Sequence, residues 1–192
     1  MIVALATLLF VQQDTGEQYY KFKAGCAWTY KLLERGTEKK LVMSVTKVDG
    51  DKVWVDSKEY VDDREDKVEK FTWSVDKQIV QWSKEVEDGK YEPMFHIYKA
   101  GTKKGDTWPG APEGSSPFKL TATHSGTEEV KVLAGTYKDV VVVKLGAEAG
   151  MDEVPKISIT FYLAPKVGVI KLVVDMGDDK NSLELQEFKE GK

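Results

Sequence analysis

The side chains able to do chemistry are few and scattered. His96 and His124 are the only histidines, 28 residues apart on segments that read as strands. A helical His-Glu-x-x-His pattern would set two imidazoles on one face for a metal ion, and neither histidine sits in such a pattern. Both are read as ordinary strand histidines rather than a metal or catalytic pair. The serines lack the Gly-x-Ser-x-Gly turn that holds a hydrolase nucleophile in a strained, open position. Ser115-Ser116 falls in a Gly/Pro-rich stretch and reads as a solvated turn. No glycine-rich phosphate loop occurs. Cys26 is the only cysteine, so no intramolecular disulfide and no thiolate zinc site can form. Lys23-Ala24-Gly25-Cys26 resembles a lipoprotein cleavage box only superficially, because a Lys stands where an apolar residue is needed. A lipid anchor at Cys26 is therefore not expected.

Two acidic runs have the composition of calcium loops, since calcium takes several oxygen ligands from one segment. They are Asp62-Asp63-Arg64-Glu65-Asp66 and Asp175-Met176-Gly177-Asp178-Asp179. Neither has EF-hand spacing, and both are read as solvated turns between strands. Aromatic residues offer a better handle on binding. Most of the five Trp alternate with polar neighbours, as aromatics packed on a buried strand face do. Trp54 and Tyr60 share the polar face of their segment, opposite Val53, Val55 and Val61, and are expected to face solvent. Trp108, in Asp106-Thr107-Trp108-Pro109-Gly110, is expected to border a cleft. These three are the candidate contacts for a ligand or partner, although core or loop-anchor roles account for them at least as well. No catalytic residue, metal ligand or cofactor site is assigned.

The elements that must position such residues read as short strands. Phe71, Trp73 and Val75 alternate with Lys70, Thr72, Ser74 and Asp76, and Ile157, Ile159, Phe161 and Leu163 alternate with Ser158, Thr160 and Tyr162. This period of two marks half-buried strands of an antiparallel sheet. Asp49-Gly50 and Asp88-Gly89 supply the positive φ that tight hairpins need. Val140-Val141-Val142-Val143 is apolar on both faces and is expected to be covered twice. Further strands are expected over Trp28–Glu34, Phe118–His124, Glu128–Leu133, Tyr137–Gly146, Gly168–Asp175 and Leu183–Phe188. The sum is an all-β antiparallel β-sandwich or strongly curved open barrel of roughly eleven strands. Gly101–Pro117 reads as the longest irregular stretch, a connection or flap. One short echo stands out: Lys23–Trp28 and Lys103–Trp108 each place a Trp three residues after a Gly.

Composition narrows the classes of function. The chain has 192 residues, 41% apolar and 31% charged, with a net charge of −4 and only two arginines, Arg35 and Arg64. An acidic balance without a basic run argues against nucleic acid as a partner. Scarce Arg argues against a dedicated anion clamp. Met1–Val11 is an uncharged apolar run followed by Gln12, Gln13 and Asp14. Its length suits the apolar region of a signal peptide and falls short of the ~20 residues of a membrane span. Residues 1–18 are thus expected to be a signal peptide with a short linker, and 19–192 a single all-β domain that is not an integral membrane protein.

Three stretches carry a family resemblance. Tyr19–Leu32 (YYKFKAGCAWTYKL), Leu133–Lys144 (LAGTYKDVVVVK) and Phe161–Leu172 (FYLAPKVGVIKL) resemble motifs of uncharacterised bacterial exported proteins of the TapB-like group. Lys21, Ala134 and Lys166 depart from those motifs, which have Pro, Pro and Gly there. The resemblance implies an antiparallel β fold and a periplasmic or extracellular location, and it brings no catalytic residue. The leading expectation is a non-enzymatic exported envelope domain with a binding or structural accessory role, its partner an envelope protein. The alternative is a carrier or sensor of an apolar, lipid-like small molecule held in a curved sheet under Gly101–Pro117. A carboxylate hydrolase ranks last, and would need two carboxylates in one cleft, one with a raised pKa.

Overall fold

The computed structural model describes residues 17–76, 78–115, 119–147, 157–177 and 179–192. The Met1–Val11 run, Ser116 and Asp178 lie outside them. A short 3-10 turn (Glu17–Tyr19) precedes twelve strands: β1 (Ala27–Glu34), β2 (Thr37–Asp49), β3 (Lys52–Val61), β4 (Arg64–Asp76), β5 (Ile79–Glu87), β6 (Lys90–Lys99), β7 (Thr107–Pro109), β8 (Leu120–Val132), β9 (Gly135–Ala147), β10 (Ser158–Ala164), β11 (Gly168–Asp175) and β12 (Lys180–Lys189). All belong to one antiparallel sheet in the order β6-β5-β4-β3-β2-β1-β12-β11-β10-β9-β8-β7. Each six-strand half is a meander, the halves meet where β1 pairs β12, and β6 and β7 are the edges.

The edges nearly close on each other, which makes the sheet barrel-like. The His96 N–H on β6 donates to the Gly110 carbonyl at 2.9 Å, and the His96 Nδ1–H donates to the Pro109 carbonyl at 2.7 Å. The three-residue edge strand β7 and near-closure both limit the unpaired backbone a sheet presents to other chains. His96 is thus a seam residue.

Hairpin turns follow the expected chemistry. Gly50 and Gly89 have φ of 56° and 72°. The turn from β3 to β4 is made by Asp62 and Asp63, both left-handed at φ 49° and 60°. Asp tolerates that conformation better than most residues, so the first acidic run is a tight hairpin turn. Two segments expected as separate strands, Phe118–His124 and Glu128–Leu133, are joined where they are described: one strand, β8, runs over Leu120–Val132. Bulges at His124/Gly126 and Glu128/Val130 absorb the misfit that looked like a break in the pattern.

Gly101–Pro117 is not wholly irregular, because it contains β7. The reason is the echo seen in the sequence. Cys26 N–H donates to Lys23 O and Asp106 N–H to Lys103 O; Gly25 N–H donates to Val45 O and Gly105 N–H to His124 O. Val45 N–H returns a bond to Cys26 O, as His124 N–H does to Asp106 O. The same turn thus starts both halves, and each delivers its Trp into the core, Trp28 at 0% and Trp108 at 4% exposure.

Two apolar clusters fill the sheet. One holds Trp28, Tyr30, Val55 and Leu185, the other Val143, Leu145, Phe161 and Leu163. Val140–Val143 are all buried, as their two-sided apolar character requires. The first and third motif stretches converge on each other, and Tyr19 O–H of the first donates to Asp139 O of the second at 3.4 Å. Trp28 Nε1–H donates to Val167 O and Tyr30 O–H to Val169 O, both at 2.7 Å, and Lys166 N–H donates to Gln18 O. Phe22 stands edge-on to Trp28, with centroids 4.9 Å apart, and against Gly168. The recurring motifs therefore build a structural knot.

Candidate binding cleft

The knot occupies one end of the strands, and a cleft occupies the other. Phe22 touches Trp28 on β1, Trp73 on β4 and Gly168 on β11. Farther along the same strands, Leu32 and Glu34, Phe71 and Glu69, and Leu172 and Val174 line a cleft of about 250 Å³. At about 3.3 Å per residue the two sites lie four to six residues apart along β1, roughly 13–20 Å.

The cleft is built by strand parity. Leu32, Leu41, Met43, Phe71, Leu172 and Leu183 form an apolar floor with Trp82. Two residues further toward the strand ends, the same faces turn charged: Leu32 gives way to Glu34, Leu41 to Lys39, Ser57 to Glu59, Phe71 to Glu69 (with Lys67 two residues beyond), and Trp82 to Lys84. Neighbouring strands carry opposite signs. Lys39 Nζ donates to Glu34 at 2.7 Å and to Glu59 at 2.6 Å, while Lys67 and Lys84 reach Glu69 at 2.8 and 2.6 Å. The rim is two triads, Glu34–Lys39–Glu59 and Lys67–Glu69–Lys84.

The contacts favour the charged forms of Glu34, Glu69, Lys39 and Lys67. The hydrogen bond from Lys39 holds the Glu34 carboxyl below its ordinary pKa. Burial pushes Glu69 upward, but bonds from Lys67 and Lys84 outweigh it and the net shift is downward. Hydrogen bonds to Glu34 and Glu59 raise the Lys39 ammonium, and Glu69 raises Lys67. A general acid near neutral pH needs the opposite, a carboxyl raised by burial or by a like charge.

The three sequence candidates lie elsewhere and are not brought together. Trp54 is half-buried on β3, and Lys47 and Lys52 cover its ring at 4.6 and 5.0 Å from the centroid. Tyr60 is half-buried beneath Lys40 at 5.0 Å. Trp108 is packed in the core, and it is not among the cleft-lining residues. His124 is buried, its Nδ1 bonded to the Thr102 carbonyl at 3.1 Å and its Nε2 unpartnered among the described residues. No group of three or more potential metal ligands occurs among the described residues. Cys26 is buried, and its Sγ accepts the Gly191 N–H at 3.2 Å. The cleft residues belong to no local motif and are not among the sequence candidates. The available signal was parity: each falls on the apolar face of its strand.

No protein-family model and no curated protein matches the chain. Solved structures do. A candidate exported protein with a YmcC-like fold from Bacteroides fragilis NCTC 9343 superposes with a TM-score of 0.57 at 12% identity, covering 88% of this chain and 97% of that one. A candidate lipoprotein from Parabacteroides distasonis ATCC 8503 gives 0.57 at 13% identity, covering 89% and 99%. The chain therefore has the fold of these uncharacterised bacterial proteins, a curved antiparallel sheet close to closing as a barrel. Among the described residues no helix is long and apolar enough to cross a membrane.

Proposed function

We propose that this protein is an exported, non-enzymatic binding domain of the bacterial cell envelope, and that its binding site is the cleft rimmed by Glu34, Glu59 and Glu69. The observation that carries this reading is an apolar floor left open to a charged mouth. Leu32, Leu41, Trp82 and Leu172 are only partly buried although they pack against the core clusters. A concave apolar surface with a few polar groups at its rim is the usual form of a small-ligand site. Export rests on the apolar run Met1–Val11, and the names of the two structural neighbours and the TapB-like resemblance accord with it. Three carboxylates do meet in the cleft, but the downward shifts at Glu34 and Glu69 favour binding over hydrolysis.

Size decides between a carrier of whole lipids and a module that grips a short apolar group. At about 30 Å³ for a water-sized unit such as a methylene, a 250 Å³ cleft holds about eight. That suits one short chain or one apolar side chain better than a two-chain lipid. The outer aromatics Trp54 and Tyr60 are weaker candidates, since their rings already carry lysines of this chain. The test is a calorimetric titration with 1-octanol, beside a Leu41→Trp variant that fills the cleft. Saturable one-to-one binding, lost in the variant, is expected. Partition without saturation, or equal binding to the variant, would overturn the reading. Native mass of the protein recovered from the envelope fraction tests export: a start between Gln12 and Tyr19 is expected, and an intact Met1 in the cytosol would refute it.

A further inference from the structure

We infer that the cleft selects a single short alkyl chain joined to an uncharged, hydroxyl-bearing head group. This rests on the proposed use of the cleft and names the chemistry at its mouth. The rim has no surplus charge, for Glu34, Glu59 and Glu69 are matched by Lys39, Lys67 and Lys84. An anionic head would meet three carboxylates on the lining and one ammonium, Lys67, already engaged by Glu69. To use Lys67 it would have to break that pair, and its own charge would still lie among the three carboxylates of the lining. A cationic head would have to compete with Lys39, which bridges Glu34 and Glu59, or with Lys67 and Lys84 on Glu69.

Hydrogen-bond capacity points the same way. Glu34 accepts through Oε2 only, and Glu59 and Glu69 through Oε1 only. The second oxygen of each carboxylate accepts no bond among the described residues. Three unused acceptors in a charge-balanced rim call for donors that bring no charge, and hydroxyl groups are such donors. Bonds from hydroxyl to carboxylate are charge-assisted and stronger than neutral ones. Such a head could belong to a sugar or to glycerol, and the chemistry at the rim is common to both.

The experiment is calorimetry on the folded protein with five probes below their micelle concentrations: octyl glucoside, dodecyl glucoside, monooctanoylglycerol, octanoate and octylammonium. Octyl glucoside or monooctanoylglycerol should bind at least about tenfold more tightly than either ion, a difference one lost charge pairing can supply. Whichever of the two binds tighter identifies a sugar or a glycerol head. Dodecyl glucoside should gain far less than the about fourfold per methylene expected of full burial, because the cleft ends near eight carbons. Glu69→Gln, which removes the charge holding Lys67 and Lys84, should shift preference toward octanoate. Octanoate or octylammonium binding as tightly as the neutral probes would overturn the head-group inference and leave the apolar cleft standing. No binding by any octyl probe would instead overturn the cleft reading itself.

Discussion

Gly168→Ala is the sharpest probe of how the knot end of the fold is held. Gly168 opens β11 with φ of +81°, and a Cβ built there would meet Phe22 Cζ at 2.6 Å. Two costs follow. Placing a side chain at a left-handed φ costs about 1–2 kcal/mol. Phe22 cannot retreat freely, because it is 5% exposed and wedged between Trp28 and Trp73 at 4.9 and 5.2 Å. Overpacking a filled site of this kind costs about 1–3 kcal/mol. The sum is about 2–5 kcal/mol, or a fall in Tm of roughly 4–20 °C for a chain of this size. Urea unfolding followed by tryptophan fluorescence measures it, and a double-mutant cycle with Phe22→Ala separates the parts. In the Phe22→Ala background only the backbone cost should remain, so the two substitutions should couple by about 1–3 kcal/mol. Equal cost in both backgrounds would show that the ring contact carries none of the penalty, and the knot argument would fail.

Three further outcomes are expected. Lys166 sits at φ 65°, where the resembled motif has Gly, so Lys166→Gly should stabilise by about 0.5–1 kcal/mol in the same urea assay; a loss would mean the side chain contributes contacts that outweigh the strain. His96→Ala removes the imidazole bond to Pro109, and should cost about 0.5–1.5 kcal/mol while amide exchange rises selectively along β6 and β7; unchanged exchange there would argue against a closed seam. For pH, Glu34 and Glu69 are depressed in the folded state, so their contribution is complete above the unfolded carboxylate value of about 4.3 and fades as pH falls below it. Lys39 and Lys67 are raised, so theirs is complete below about 10.4 and fades as pH rises past it. Urea midpoints should therefore be flat between about pH 5 and 10, and Glu69→Gln should shallow the acid limb; an acid limb as steep in the variant would remove Glu69 from the account.

How much of this was legible in the sequence depends on the range of the interaction that decides each feature. Alternation over Phe71–Val75 and Ile157–Leu163, and the Gly at 50 and 89, are set by neighbours within a few residues, and the strands and turns they imply are present. The break expected between His124 and Glu128 was a pair of bulges, because a bulge interrupts the period of two without ending the ladder. Trp108 shows a longer range. Its Gly/Pro-rich surroundings suggested a loop beside a cleft, whereas the turn it shares with Trp28 carries it into the core. The rim lies furthest from sequence reading. Lys39, Glu59, Glu69 and Lys84 are each unremarkable in their own strands, and each could be a solubilising charge. They become a site only because the order β5-β4-β3-β2-β1 sets their strands side by side, with register placing opposite signs within 3 Å. A charged residue on the apolar parity of a strand is costly unless another strand supplies its partner. Residues of opposite sign on adjacent strands, Lys39 with Glu59 and Glu69 with Lys84, thus predict one another, and that parity test could have located the cleft mouth before its geometry was seen.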